Sequence, residues 1–185
     1  MLILIVLIIV LVGIGFYVVG LYNGLVRGRN EVKSAWSSID VTLKRRYDLI
    51  PNLVETVKGY AGHERQTLEA VVKARQQAVS FTGSVEDRAK VENVLTQTLR
   101  SLFAVAEAYP DLKANQNFLA LQEELATTEN KIGFARQYYN DTAKNYKNRI
   151  ELFPSNIIAG MFNFQAEPFF QLESGQERVA PQVKF

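Results

Sequence analysis

The sequence predicts an all-α protein in which an N-terminal transmembrane helix leads into a long antiparallel four-helix bundle, followed by a short apolar C-terminal helix and an extended tail. Three observations predict it. Residues 1–21 carry no charged side chain. From there to about residue 150, apolar residues recur at spacings of three and four, interrupted by a few loop signals. A second uncharged run, from Pro154 to Ala166, then follows a highly charged stretch. The expected divisions are 1–21 for the span, 22–153 for the bundle, 154–166 for an apolar membrane-proximal segment and 167–185 for the tail.

The first element reads MLILIVLIIVLVGIGFYVVGL. About 20 apolar residues at 1.5 Å rise cross a hydrocarbon layer of about 30 Å. A cleaved signal peptide would want a basic front, a shorter apolar core and small residues at a cleavage site, and the sequence shows none of these. Arg27, Arg29, Lys33, Lys44, Arg45 and Arg46 follow the span, and no basic side chain precedes it. The positive-inside rule therefore places the N-terminus outside and the body in the cytoplasm.

Past the bilayer, Val32, Trp36, Ile39, Leu43, Tyr47, Ile50, Leu53 and Val57 continue at helical spacing. Pro51 interrupts them, so the helix either kinks there and runs on to Gly59 or turns near Asp48 with Pro51 opening a second helix. The undisturbed stripe favours the kink, with Gly59-Tyr60-Ala61-Gly62 as the break. Leu68, Val71, Ala74, Ala78 and Phe81 mark the next helix, ended by Thr82-Gly83-Ser84. Ser84 followed by Asp87 is a start signal close to a capping box. The helix it opens is expected to bury Val91, Leu95, Thr98, Leu102, Val105 and Tyr109. Pro110 stops it and opens the last long helix, expected from Leu112 to Leu152. There, positions 118, 121, 125, 128, 132, 135, 139, 142 and 146 alternate in steps of four and three, the seam of a coiled-coil-like packing.

Helices running alternately away from and back toward the bilayer bring the fourth back to the membrane exit of the first. Phe153 and the apolar run after it are thereby delivered to the bilayer surface. Ser155 can cap a short helix holding Ile157, Ile158, Met161, Phe162 and Phe164, too short to span. It reads as an interfacial segment or a subunit contact, the alternative being that it folds back onto the core. The tail ends in Pro181-Gln182-Val183-Lys184-Phe185, where Val183 and Phe185 could serve as a peptide for a partner.

Composition narrows the functional classes. There is no cysteine and one histidine, His63, with Thr67 where a zinc-protease motif would need a second. No cofactor or metal is expected. A net charge of +2 with scattered basic residues argues against nucleic acid. Glu123, Glu124 and Glu129 lie close together on the last helix but read as a solvated face with Lys131 and Arg136. Lys44, Arg45 and Arg46 could hold an anionic headgroup, but pairing with Asp40, Asp48 and glutamates of adjacent helices is the preferred reading. Gly20, Gly24 and Gly28 form a small-xxx-small stripe, a candidate oligomer interface, although Arg27 and Arg29 would repel across it. Trp36 and Tyr139 read as packing residues, and the Tyr139 hydroxyl needs a partner.

The blocks YNGLVRGRNEVKSAWSSIDVTLKRRYDLIPNLVETVKGYAGHE and LKANQNFLALQEELATTENKIGFARQYYNDTAKNYKNRIELFPSNIIAGMFNF, with the closing PQVKF, resemble the LemA family. The resemblance covers nearly everything after the span. It implies a bacterial membrane protein with one N-terminal helix and an antiparallel helical bundle, and it carries no catalytic residue. It also suggests links to membrane metalloproteases and to magnetosome membrane proteins. The expected function is a non-enzymatic scaffold that self-assembles as a homo-oligomer on the inner membrane, with the lipid bilayer as its first partner. The alternative is an adaptor that binds a membrane protein such as a metalloprotease through its tail or bundle surface.

Overall fold

In the computed structural model, which describes residues 1–171, α1 runs unbroken from Leu2 to Tyr60. It neither turns nor ends at Pro51. Proline has no N–H, so the carbonyl four residues back, that of Tyr47, loses its helical donor. Arg75 Nε supplies one instead, at 2.7 Å. A side chain from the next helix thus supplies the donor that Pro51 lacks, and α1 continues through residue 51.

The remaining helices among the described residues are α2 (Arg65–Ser80), α3 (Val85–Ala106), α4 (Pro110–Lys113), α5 (Gln116–Glu151) and α6 (Ser155–Met161). No strand occurs among the described residues. The described residues form two compact units, one of Met1–Ile39 with Ala135–Pro168, the other of Asp40–Phe134 with residues 169–171.

The second unit contains α2, α3, α4, the latter part of α1 and the first part of α5. Its interior collects Leu43, Ile50, Leu53 and Val57 from α1, Leu68, Val71, Ala74 and Ala78 from α2, Leu95, Leu99 and Leu102 from α3, and Phe118, Leu125 and Ile132 from α5. Each such aliphatic or aromatic side chain contributes about 1.5–3 kcal/mol on burial. The ends are secured by local chemistry. Ser84 Oγ accepts from Asp87 N at 3.1 Å and so caps α3. Asn115 Oδ1 accepts from Phe118 N at 3.0 Å and caps α5. Its Nδ2 donates to the Tyr60 hydroxyl at 2.9 Å, while the Tyr109 hydroxyl donates to Glu64 at 3.1 Å.

Three expectations change. The last long helix does not begin at Leu112: α4 is a single turn, and Asn115 restarts the chain as α5 because its side chain satisfies a free amide. The inward face of α3 is rotated from the expected one. Ala89, Glu92, Leu95, Leu99, Leu102 and Ala106 are buried, whereas Val91, Thr98, Val105 and Tyr109 are half-buried. An interior carboxylate, Glu92, takes the seam position that an apolar pattern would have given to Val91. Nor is Ser155 a cap. Its hydroxyl donates backward to Arg149 O at 2.5 Å and Leu152 O at 2.9 Å, and α6 starts without a side-chain cap.

The seam of α5 is as its spacing demands: residues 118, 125, 128, 132, 139, 142 and 146 are buried, and 121 and 135 half-buried. Arg75→Ala strands the Tyr47 carbonyl and is expected to cost about 1–3 kcal/mol. Pro51→Ala in the same chain restores a donor and should recover most of that loss. Denaturant titration of the four members of this cycle in detergent, followed by ellipticity at 222 nm, measures the coupling.

Candidate functional site

The first unit gathers the sequence-predicted residues around the end of the apolar stretch of α1. Of these, α6 is two-faced. Ile158 and Ala159 are buried, as is Phe164 after it, while Ile157, Met161 and Phe162 remain more than half exposed. Leu152 and Phe153, just before α6, are exposed as well. The fold-back and the interfacial readings therefore each describe one face.

What holds the segment is a ring cluster. Tyr22 meets Phe162 with centroids 4.8 Å apart and Phe164 at 5.7 Å, both edge-on. Arg29 lies over Phe164 at 5.2 Å, a cation–π contact. The reversal that delivers Phe164 is a helix terminator. Asn163 adopts φ 53°, its amide donates to Gly160 O at 3.3 Å, and Phe164 N donates to Ala159 O at 2.9 Å. This is the Schellman pattern, with asparagine tolerating the left-handed conformation usually left to glycine.

Two residues of the glycine stripe differ from the third. No atom lies within 4 Å of where a Cβ would stand on Gly20 or Gly24. On Gly28 that Cβ would meet the Tyr146 ring at 3.1 Å and Arg149 at 3.5 Å. Gly28 thus lets α5 approach α1 within the chain. The Tyr146 hydroxyl is buried, which raises its pKa, with Arg29 opposing and Glu167 reinforcing the shift. Tyr139 finds its partner in Pro168 O at 2.8 Å, and Trp36 packs edge-on against Tyr139 at 5.4 Å. Val183 and Phe185 lie outside the described residues.

The second unit contains a polar interior that the apolar spacing did not reveal. Arg46 is 2% exposed and Glu92 3%. They form an ion pair, and the Tyr47 hydroxyl donates to the other oxygen of the same carboxylate. Arg46 Nη1 also donates to Glu129 at 2.7 Å and to Thr96 at 3.1 Å. Burial, then the charge of Glu92, pushes the Tyr47 pKa strongly upward, so the phenol stays neutral and remains a donor. The signal was present in the spacing: position 46 lies three after Leu43 and four before Ile50, on the seam itself.

The other sequence-predicted polar residues fall around this centre. Arg45 pairs with Glu124 near the surface, and Asp40 with Arg88 at 3.3 Å. Glu123 and Glu124 line an open cleft of about 540 Å³ with Arg45 and Lys131. Glu124 and Glu129 thus pair with separate arginines instead of converging as a carboxylate pair. His63 is exposed in the loop after α1.

These features define an all-helical protein with one N-terminal helix long and apolar enough to cross a membrane, none of whose most apolar stretch is buried within the chain. The LemA family profile matches residues 35–185. The chain is 30% identical to Protein LemA of Metamycoplasma hominis over 91% of its own length and 77% of that protein's. It belongs to the LemA family. It is also 22% identical to Magnetosome protein MamQ 2 of Paramagnetospirillum magneticum, covering 81% of the chain but 64% of that protein's length. The corresponding figures for Magnetosome protein MamQ of Magnetospirillum gryphiswaldense are 20%, 88% and 70%.

Removing one partner of a buried ion pair leaves an uncompensated charge. Glu92→Ala should therefore cost about 3–5 kcal/mol. Glu124→Ala, at the exposed pair, should cost less than about 1 kcal/mol. Chemical denaturation of both variants against the parent protein compares them.

Proposed function

We propose that this protein is a non-enzymatic scaffold, anchored by α1 in the bacterial inner membrane, which assembles with copies of itself there. In this reading the N-terminus lies outside, the helical body is an antiparallel four-helix bundle in the cytoplasm, and α6 lies in the lipid interface. The observation that carries it is the exposed apolar face of Ile157, Met161 and Phe162, held beside Tyr22. Tyr22 immediately follows about 20 apolar residues, a length that reaches across the hydrocarbon layer. A face at that level meets headgroups and acyl chains, where exposing large apolar side chains carries no penalty. The magnetosome relatives support a membrane-associated setting. Assembly draws support from the open backbone at Gly20 and Gly24, which another helix could approach closely.

Depth-dependent fluorescence tests the interfacial face. With Phe162→Trp introduced in a Trp36→Phe background, emission should be quenched by lipids brominated near the headgroup. Adding Ile157→Asp and Met161→Asp should relieve the quenching while leaving ellipticity at 222 nm unchanged. Emission indifferent to brominated lipid would overturn the placement of α6.

The glycines separate assembly from folding. The Cβ of Gly24→Leu enters open space, so the change should weaken the oligomer measured by sedimentation in mild detergent with little loss of stability. Gly28→Leu presses on Tyr146 and should cost about 1–3 kcal/mol of stability. An oligomer unaffected by Gly24→Leu removes this stripe from the interface.

A further inference from the structure

Two arginines from distant parts of the sequence converge on one spot of α1. Arg27 Nε donates to Asn23 O at 3.4 Å, and Arg149 Nη1 donates to Gly24 O at 3.2 Å. Consecutive carbonyl oxygens of an α-helix lie roughly 3–4 Å apart, so the two bonding nitrogens lie within about 10 Å of each other. Both residues are exposed. Among the described residues neither has a carboxylate within ion-pair distance, although Lys147 in the same region pairs with Glu151 at 3.7 Å. Each guanidinium commits one N–H to the backbone and keeps about four to offer. Beside them Gly24 has no side chain, and the space a Cβ would enter is open. Two neighbouring cations with spare, forked donors make a receptor for a tetrahedral oxyanion.

Position selects the oxyanion. Asn23 and Gly24 stand two and three residues beyond the apolar stretch of residues 1–21, roughly 3–5 Å along the axis. That is the depth of phospholipid phosphates when the preceding helix crosses the bilayer. We propose that Arg27 and Arg149 clamp the phosphate of an anionic membrane phospholipid where α1 leaves its apolar stretch. The clamp rests on the membrane-anchored reading above. A zwitterionic lipid presents the same phosphate with a tethered cation that opposes the two arginines, so the site discriminates by net charge. Because one arginine belongs to α1 and the other to the end of α5, the bound lipid ties the two helices together at the membrane surface.

The test uses the full chain purified in mild detergent with equimolar phosphatidylglycerol and phosphatidylcholine, and native mass spectrometry to count retained lipids. The parent protein should retain phosphatidylglycerol over phosphatidylcholine by about tenfold, which corresponds to about 1.4 kcal/mol. Arg27→Gln with Arg149→Gln should bring the ratio close to one. Arg45→Gln, a surface arginine already paired with Glu124, should leave it unchanged. Equal retention of the two lipids by the parent protein overturns the clamp, and that comparison alone decides if the double variant loses helicity. Displacement of phosphatidylglycerol by millimolar inorganic phosphate would identify a site for the free anion and overturn the lipid assignment. Alkaline carbonate extraction of native membranes separates the two readings. A parent protein that resists extraction but shows no lipid preference loses only the clamp, whereas one that is extracted loses the membrane anchor as well.

Discussion

The second unit is organised around one buried carboxylate. Glu92 of α3 receives the guanidinium of Arg46 and the hydroxyl of Tyr47, neighbouring residues on α1. Taking an isolated carboxylate out of water is prohibitive, and only a full set of donors makes its burial tolerable. The consequence is positional. An apolar seam can slide by one turn and still find apolar partners, but a shift of about 5.4 Å would face Glu92 with aliphatic carbon. Glu129 of α5 reaches the same guanidinium, and Arg75 of α2 bonds the Tyr47 carbonyl. One level of α1 therefore fixes the register of three other helices, and it does so beside the proline that would otherwise have broken α1.

The first unit solves a different problem. A chain that emerges from an apolar helix must keep large side chains near its exit without driving nonspecific association. Here the apolar C-terminal segment is divided. Phe164, Ile158 and Ala159 turn inward, secured by the Schellman terminator at Asn163 and the rings around Tyr22. Ile157, Met161 and Phe162 face outward. A wholly inward segment would only finish a core, and a wholly outward one would have no fixed attitude. The division gives the outward face an orientation set by packing.

Much of this was readable beforehand because it rests on local rules. The apolar helix follows from length and absence of charge. The α5 seam follows from its steps of three and four, and the Ser84–Asp87 start from hydrogen-bond chemistry confined to one turn. The boundaries near Tyr60 and Thr82 follow from glycine and small polar residues. Binary patterning misled where a polar residue occupied a core position. Arg46 sits on the α1 seam by spacing but reads as surface by type, and Glu92 displaced the expected inner face of α3 by about one residue. The break at Asn115 was hidden because Pro110 already offered a start, and a cap only declares itself when its amide partner is known.

By itself, then, the sequence determined which segments are helical, which faces are apolar and where a membrane could be crossed, since those properties belong to stretches of a few turns. Tertiary structure decided whether Pro51 ends a helix, which cation neutralises which carboxylate and which glycines remain open. Each of those outcomes depends on an atom supplied from far away in the chain: Arg75 for the Tyr47 carbonyl, Glu92 for Arg46, Tyr146 for the space above Gly28. A one-dimensional pattern records that a donor or a gap exists; only the folded chain brings the group that meets it.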